Sequence, residues 1–320
     1  MQNDQGYRVF FIVPPEVHLL DVSGPIHVFY EATEYGADIE SVFISINNDH
    51  SIKSSAGIGL NNLKPYSNHQ LNQNDFIFIP GLDARLIFDE EFQKSMNPFF
   101  EWLQIQRNNG AKICSVCTGA YLLAFAGVMD DMECTTHWKY TDDFRKRFPK
   151  SKLHKDRLFV KDGSIYSSAG ISSGIDLALY IIEELYGPFF ATKIAKEIVV
   201  FLRRTEDDPQ LSVFLQYRNH IENRIHKVQD HLAQHLSDKQ KIDDLAVLVH
   251  MSPRNLTRLF KKTTGITIGE YHDKLRIERA MQLLANGQKV DAVSNLCGLS
   301  SNQLRSLLKK HSDILPSTLS

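Results

Sequence analysis

The segment KICSVCTGAYLL, residues 112–123, joins a short apolar run to an apolar helical pattern through a tight turn at Cys117. A residue at such a strand-to-helix turn occupies a strained elbow, and the first N–H groups of the helix point at its side chain. This position lowers the pKa of a thiol and can hold an oxyanion. The residue types fit a buried structural cysteine equally well. The segment therefore predicts an elbow and leaves two roles open for Cys117.

Apolar runs and helical patterns alternate on both sides of this segment, up to about residue 190. The runs typical of buried strands are 8–13, 41–46, 75–80 and 112–116. The segments with helical periodicity are 92–106, 119–126, 175–186 and 189–201. This alternation predicts an α/β domain with a largely parallel sheet.

Charge is divided unevenly along the chain. Residues 218–320 contain 16 lysines and arginines against 10 acidic residues, whereas the rest contains 20 against 28. Only the C-terminal part therefore suits a polyanion such as DNA. Residues 203–212 break the apolar periodicity with charges and a proline, as linkers do. We predict a first domain over residues 1–202, a linker over 203–217 and a second domain over 218–320.

Targeting and disulfide signals are weak in this sequence. The four cysteines in 320 residues do not resemble a disulfide framework. The first residues lack the basic and apolar regions of a signal peptide, and no apolar run is long enough to cross a bilayer. We expect a cytoplasmic protein without a membrane span.

The C-terminal part contains an internal repeat, because the pattern of residues 245–262 reappears at 293–310. Ser252 corresponds to Ser300 and Leu256 to Leu304. Each copy reads as a helix, a tight turn and a second helix, and Ser252 followed by proline is a strong helix start. A helical pattern over 221–236 precedes the repeat, and a connecting helix over 267–285, ending at Gly287, joins the copies. The repeat predicts an all-α domain with two helix-turn-helix units.

A helix-turn-helix places its second helix in the major groove, where arginine and asparagine read guanine and adenine edges. Two units on one connecting helix could enter successive grooves. A single exposed polar helix face is usually only a solvated surface. The duplication, the helix caps and the local positive charge together favour DNA binding.

Several motifs of this part resemble the AraC/XylS family of transcription regulators: Met251-Ser-Pro-Arg-Asn-Leu256, Arg258-Leu-Phe260, Gly265 and Arg276-Ile-Glu-Arg-Ala280. The resemblance implies base or phosphate contacts from the starts of two reading helices, through Ser252, Arg254, Asn255, Arg258, Ser301, Asn302, Gln303 and Arg305. The second unit departs from the family pattern, since Ser294 replaces a small alanine and the closing motif is changed over 312–319. These departures put base reading by the second unit in doubt.

Motifs of the first domain are similar to the GlxA-type branch of the DJ-1/PfpI superfamily: Leu20-Asp-Val-Ser-Gly-Pro25, Pro80-Gly81, Ser115-Val-Cys-Thr-Gly-Ala120 and Thr135-Thr-His-Trp138. The resemblance implies a flavodoxin-like, GATase1-like α/β domain, which this branch joins to an AraC-type tail. Single-domain relatives include isonitrile hydratases, whose aspartate and Cys-Thr pair correspond to Asp21, Cys117 and Thr118.

Two departures bear on the chemistry of this domain. Peptidase-type relatives place a histidine directly after the cysteine, and Thr118 in that position argues against protease activity. Leu82 replaces a second glycine after Pro80-Gly81, so an oxyanion contribution from Gly81 is in doubt. His137 can act as a base only if the fold brings it near Cys117, and it fits a core histidine equally well.

One competing pattern is a metal site, because Cys114-x2-Cys117 and Cys134-x2-His137 have zinc-ligand spacing. Cys114 lies in a predicted buried strand, however, and the intervening segment is an apolar helix rather than a polar knuckle. We expect neither a metal nor a cofactor.

The leading hypothesis is a transcription regulator whose tail binds double-stranded promoter DNA. Its first domain would sense a small-molecule effector, whose identity the sequence does not reveal, or would form a homodimer. The alternative is a thiol-dependent enzyme of isonitrile-hydratase or amidase type that uses Cys117.

Overall fold

The computed structural model describes residues 6–47, 49–200, 212–218, 220–285 and 288–311. It divides into two units, Met1–Gln210 and Leu211–Ser320. The strands of the first unit are β1 (Tyr7–Val13), β2 (Ile39–Ser45), β3 (Ser51–Lys53), β4 (Gly59–Asn61), β5 (Lys64–Pro65), β6 (Asp75–Ile79), β7 (Lys112–Val116), β8 (Glu133–Cys134), β9 (Lys152–Leu153), β10 (Phe159–Asp162) and β11 (Ile165–Ser168).

Seven of these strands form one sheet in the order β10-β11-β7-β6-β1-β2-β5. Neighbours pair in parallel except β10 and β11, which form an antiparallel edge pair. All five residues of β6 are buried, as expected for a central strand covered on both faces. The predicted mostly parallel sheet is confirmed, together with its four predicted strands.

Helices cover both faces of the sheet: α1 (Leu19–Glu34), α2 (Ala84–Ile87), α3 (Glu90–Ser95), α4 (Asn97–Asn108), α5 (Gly119–Phe125), α6 (Thr141–Arg147), α7 (Ser173–Tyr186) and α8 (Pro188–Glu197). One apolar cluster contains Phe99, Tyr121 and Phe144 from α4, α5 and α6. The other contains Phe29 and Leu177 from α1 and α7. The first unit is therefore a three-layer α/β domain. The predicted helix over 92–106 is two helices, α3 and α4, and the predicted end at residue 201 lies outside the described residues.

The second unit contains only helices among its described residues: α9 (Val213–Gln216), α10 (Asn223–Gln234), α11 (Ile242–Leu248), α12 (Pro253–Thr264), α13 (Ile268–Ala285), α14 (Val290–Leu296) and α15 (Ser301–His311). The pairs α11–α12 and α14–α15 are the two predicted helix-turn-helix units. Each unit has its own apolar core, one around Leu256 and Phe260 and one around Leu304 and Leu308. The predicted all-α domain is confirmed.

Helix α13 contributes to both of these cores. Tyr271 and Leu275 belong to the first core, and Ala280 and Leu284 to the second. Midway along α13, the Arg276 guanidinium donates hydrogen bonds to the carbonyl oxygens of Leu236 at 2.9 Å and Asp238 at 3.1 Å. One continuous helix therefore fixes the two helix-turn-helix units of this domain relative to each other.

Parts of the predicted linker and of the C-terminal region lie outside the described residues. The unit boundary falls inside the predicted linker 203–217, of which 203–211 lie outside the described residues and Val213–Gln216 forms α9. Gly287 and the changed motif over 312–319 also lie outside them. Within the described part of the chain, every helix is too short or too polar to span a lipid bilayer.

We expect Gly298→Ala to destabilise the helical unit. Gly298 has φ +64°, a left-handed conformation that costs a residue with a side chain about 1–2 kcal/mol. A Cβ there would also lie 2.0 Å from the carbonyl oxygen of Ser237, and this clash with the backbone adds to the cost. Far-UV circular dichroism in denaturant measures the loss. Gly265→Ala is the matched control, because Gly265 has φ +82° with no atom within 4 Å of its Cβ position. Equal losses in the two variants would contradict the tight contact at Gly298.

Candidate functional site

Cys117 lies at the end of β7, where the chain turns sharply into α5. Its φ of +59° is in the left-handed region, which costs a residue with a Cβ about 1–3 kcal/mol. Two hydrogen bonds hold this conformation: the Cys117 N–H donates to the carbonyl oxygen of Ser168 at 3.0 Å, and the Thr136 hydroxyl donates to the carbonyl oxygen of Cys117 at 3.0 Å. The predicted strand, strained turn and helix are all present.

Two glycines leave space around the Cys117 side chain. A Cβ on Gly170, where φ is +103°, would lie 2.7 Å from Cys117 Sγ. A Cβ on Gly81 would lie 2.5 Å from Asp21 Oδ2 and 2.8 Å from Thr118 Oγ1. Each of these contacts is too short for a real side chain. The two loops can therefore approach the elbow only as glycine backbone.

Asp21, in the first turn of α1, is brought beside Cys117 and is 1 % exposed. Its Oδ1 accepts a hydrogen bond from the Ile171 N–H at 2.7 Å, and its Oδ2 lies 3.5 Å from His18 Nδ1. One candidate ligand atom from each of His18, Asp21 and Cys117 lies within 4.8 Å of the others. Because the carboxylate faces it, the pKa of His18 is raised.

Thr118 is buried next to the cysteine and is engaged with the loop after β6. Its hydroxyl lies 3.3 Å from both the N–H and the carbonyl oxygen of Leu82. The Leu82 N–H therefore points at Thr118. This contact makes the Leu82 N–H a poor oxyanion donor.

Of the two roles left open for Cys117, its surroundings favour the buried thiol over an activated one. Burial, followed by the negative charge of Asp21, raises the pKa of Cys117 well above that of a free thiol. The N–H and hydroxyl of Thr118 act in the opposite direction, as an elbow predicts, but they are outweighed. The resting side chain is therefore a protonated thiol at neutral pH.

His137 lies outside the cluster formed by His18, Asp21 and Cys117. It precedes a 3-10 turn, Trp138–Tyr140, and its Nδ1 accepts a hydrogen bond from the Lys139 N–H at 3.3 Å. Burial lowers its pKa. The histidine beside the thiol is His18, which the sequence analysis missed, since its position depends on the turn between β1 and α1.

The zinc-like spacing of Cys114, Cys117, Cys134 and His137 does not assemble into one cluster. Among the described residues, the His18–Asp21–Cys117 group is the sole gathering of three or more histidine, cysteine or acidic side chains with metal-binding proximity. Cys114 lies in β7 and is fully buried, and burial raises its pKa.

In the helical unit, α12 presents a basic face to solvent. Ser252 caps the helix by accepting a hydrogen bond from the Asn255 N–H at 3.4 Å. Arg254, Asn255 and Arg258 are exposed. A shallow groove on this face is lined by Pro253, Arg254, Thr257, Arg258, Lys261 and Lys262. Thr257 and Lys262 thus join the residues predicted for this face.

The corresponding face of α15 is partly used inside the domain. The Ser301 hydroxyl donates to Asp291 Oδ1 at 2.7 Å and lies 3.2 Å from Ser294 Oγ. Gln303 Oε1 accepts hydrogen bonds from the Ser300 N–H at 2.9 Å and the Ser300 hydroxyl at 3.1 Å. Asn302, Gln303 and Arg305 are the exposed side chains predicted to read DNA from this helix, and of these Gln303 has its side-chain oxygen engaged by Ser300.

These features define a two-domain class of protein, in which an α/β domain with a cysteine elbow precedes a helical domain with paired helix-turn-helix units. The chain belongs to the DJ-1/PfpI family, whose sequence profile matches residues 7–184. The sequence profile of a helix-turn-helix domain matches residues 245–320.

The chain is similar to HTH-type transcriptional regulators and to an isonitrile hydratase. The HTH-type transcriptional regulator GbdR of Pseudomonas aeruginosa is 29% identical over 62% of this chain and 54% of its own length, so the match spans about half of that relative. The HTH-type transcriptional regulator CdhR of the same organism is 26% identical over 91% of this chain and 84% of its own. The isonitrile hydratase of Pseudomonas putida is 29% identical over 56% of this chain and 72% of the hydratase.

A crystal structure of an AraC family transcriptional regulator from Pseudomonas putida superposes with a TM-score of 0.51 at 21% identity. The superposition covers 60% of this chain and 99% of that one. At this identity the likeness is one of fold.

We expect the Cys117 thiol to react slowly with iodoacetamide at pH 7, because it is 3 % exposed and its pKa is raised. Its rate should climb with pH and show no plateau by pH 9, the ordinary thiol pKa. Mass spectrometry of each cysteine peptide measures the rates. Asp21→Asn should speed the reaction, because the neutral amide removes a charge that opposes thiolate formation. A rapid stoichiometric burst in the unaltered protein at pH 7 would show an activated thiol instead.

Proposed function

We propose that this protein is a sequence-specific, DNA-binding transcription regulator of the cytoplasm. Its helical domain binds double-stranded operator DNA, and its α/β domain senses a small molecule and joins two copies of the chain. The observation that carries the proposal is the exposed basic face of α12 at the start of a capped helix in a helix-turn-helix unit.

The geometry of α12 suits the major groove. Reading helices contact bases with residues of their first turns, and Arg254, Asn255 and Arg258 all lie there and are exposed. Lys261 and Lys262 extend the positive face along the helix toward positions where phosphates would lie. The α12 face thus combines base-reading and backbone-contacting side chains.

Helix α13 supports simultaneous binding of DNA by both helix-turn-helix units, since it contributes residues to both of their cores. We propose that α15 enters the neighbouring groove with Asn302 and Arg305. Because Ser301 and Gln303 hold the start of α15, we assign the second unit a smaller share of base recognition than the first.

The α/β domain offers a buried polar cluster for a small effector. Asp21, Cys117 and Thr118 are each at most 3 % exposed, and His18 is half-buried beside them. Buried, convergent polar groups at the carboxyl ends of parallel strands are the usual location of ligand sites in such sheets. Sensing is favoured over catalysis because the thiol is protonated at rest.

A second surface of this domain supports homodimer formation. An open groove of about 790 Å³ runs along α1 and β2, and its lining includes Leu20, Tyr30 and Phe43. These three large apolar side chains are exposed in the single chain, Tyr30 by 52 %. An apolar surface of this kind is typical of an interface, and we propose a second copy of the α/β domain as its partner.

A second candidate function is a thiol-dependent hydratase or amidase. The observation in its favour is that Asp21, Cys117 and Thr118, which correspond to the residues of isonitrile hydratases, are adjacent in the fold. Turnover of isonitriles or amides by the unaltered protein, and its loss in Cys117→Ser, would support this enzymatic function. We expect no turnover, because the pKa of the Cys117 thiol is raised.

We expect Arg254→Ala and Arg258→Ala each to weaken binding to a selected operator duplex by about 1–3 kcal/mol, or roughly 5- to 150-fold. Loss of one phosphate contact should also reduce the slope of the logarithm of the binding constant against the logarithm of the salt concentration by about 0.9. Fluorescence anisotropy at several salt concentrations measures both effects. Lys94→Ala is the charge-matched control, since exposed Lys94 lies on α3 of the other domain. Equal affinity for every DNA sequence would contradict the regulator.

We expect Tyr30→Asp to convert a dimer into a monomer, because a carboxylate in an apolar interface costs several kcal/mol. Analytical ultracentrifugation should show a dissociation constant raised by about 100-fold or more. Tyr30→Phe keeps the apolar ring and serves as the control. A monomeric unaltered protein, or a dimer indifferent to Tyr30→Asp, would place the contact elsewhere.

A further inference from the structure

Three different metal-binding side chains meet at the elbow. An imidazole nitrogen of His18, a carboxylate oxygen of Asp21 and Sγ of Cys117 lie within 4.8 Å of one another. His18 Nδ1 and Asp21 Oδ2 are 3.5 Å apart, close to the separation of about 3.5 Å between ligands of a tetrahedral zinc ion. Two of these side chains are almost fully buried, and His18 is partly exposed on the solvent side.

Asp21 is arranged as a ligand rather than as a structural acceptor. Its Oδ1 is fixed by the Ile171 N–H, whereas Oδ2 is buried and has no well-formed hydrogen bond among the described residues; it faces His18 Nδ1 at 3.5 Å. A buried carboxylate oxygen with only this long contact is costly, and such atoms in native proteins call for an explanation. Metal-bound carboxylates commonly have one oxygen on the metal and the other on an outer hydrogen bond.

Glycine backbone packs closely against these atoms. A Cβ on Gly81 would lie 2.5 Å from Asp21 Oδ2 and 3.1 Å from Cys117 Cβ, so the loop after β6 reaches the ligand atoms only because it carries no side chain there.

We propose that His18, Asp21 and Cys117 form a three-residue site for a thiophilic divalent cation of the Zn²⁺ class. One thiolate, one imidazole and one carboxylate suit zinc, whereas magnesium and calcium prefer oxygen ligands alone. The thiolate and the carboxylate neutralise the two charges of the ion, so the filled site is electrically neutral. On binding, the thiol proton passes to solvent and the sulfur–metal bond replaces the S–H bond.

Three protein ligands leave a fourth position for water or a small ligand. The ion is therefore a candidate for the effector sensed by the α/β domain, or for part of it. This regulatory role rests on the proposed function, whereas the binding site itself does not.

The test uses the full-length reduced protein, stripped with a chelator. Zn²⁺ is titrated by calorimetry, and Co²⁺ by absorption, since a cobalt–thiolate bond gives a charge-transfer band that oxygen and nitrogen ligands do not give. We expect one ion per chain, a thiolate band, and protection of Cys117 from alkylation by Zn²⁺ but not by Mg²⁺.

Variants separate this site from others. Cys117→Ser should abolish the band, and His18→Ala should weaken Zn²⁺ binding by about 100-fold. His50→Ala, which removes an exposed histidine of the α/β domain outside the cluster, is the control and should leave Zn²⁺ binding unchanged. The tail also holds a stacked pair, His231 and His235, with ring centres 4.2 Å apart. Binding that survives in Cys117→Ser but disappears in His231→Ala with His235→Ala would overturn the proposal, as would a lack of saturable binding.

Operator binding, measured with and without Zn²⁺, distinguishes failure of this inference from failure of the proposed function. If the protein binds operator DNA but no metal ion, the proposed metal site is overturned and the proposed regulator is not. A thiolate-bound ion in a protein that binds no DNA supports the site and overturns the regulator. A bound ion that changes operator affinity in the unaltered protein, but not in His18→Ala, supports both.

Discussion

The left-handed conformation of Cys117 is the constraint on which the α/β domain depends. A residue with a side chain adopts it only where its surroundings hold it there. The surroundings come from the carboxyl ends of four adjacent strands: β1 leads to Asp21, β6 to Gly81, β7 to Cys117 and β11 to Gly170. The order β11-β7-β6-β1 places these loops side by side. The same neighbours that hold the elbow also bury the thiol, so strain and chemistry at this position have one structural origin.

Local sequence signals explain which parts of the fold could be predicted. Central strands such as β6 are buried on both faces and read as continuous apolar runs, and the helix-turn-helix units carry caps and a repeat. Helix α1 was missed because Gly24 and Pro25 interrupt the helical pattern; a Cβ on Gly24 would lie 2.9 Å from Ile175, so the glycine allows close packing on α7. The edge pair β10–β11 was missed because β11 ends in two buried serines, Ser167 and Ser168, which weaken its apolar signal. The Asp21–Ile171 contact joins residues 150 positions apart, and no local pattern reports such a distance.

The two helix-turn-helix units share a core pattern and differ on their outer faces. The repeat aligned the buried residues correctly, since Leu256 and Leu304 occupy equivalent places in the two cores. It could not show that Ser301 and Gln303 form hydrogen bonds within their own unit. Ser294, which departs from the family's small alanine, is accommodated because it meets the Ser301 hydroxyl. Substitution of a core residue thus changes what an adjacent surface residue is free to contact.

Burial decides the state of the elbow thiol because several effects compete there. The Thr118 N–H and hydroxyl favour a thiolate, as the start of a helix should, whereas desolvation and the Asp21 carboxylate disfavour it. A second anion beside a buried carboxylate is costly, since their repulsion is weakly screened. A positive charge placed between sulfur and carboxylate reverses both penalties at once. His18 supplies such a charge only from the solvent side of Asp21, through a contact of 3.5 Å. The cation that we propose would be bound directly to both atoms and would offset their negative charges at the shortest possible distance.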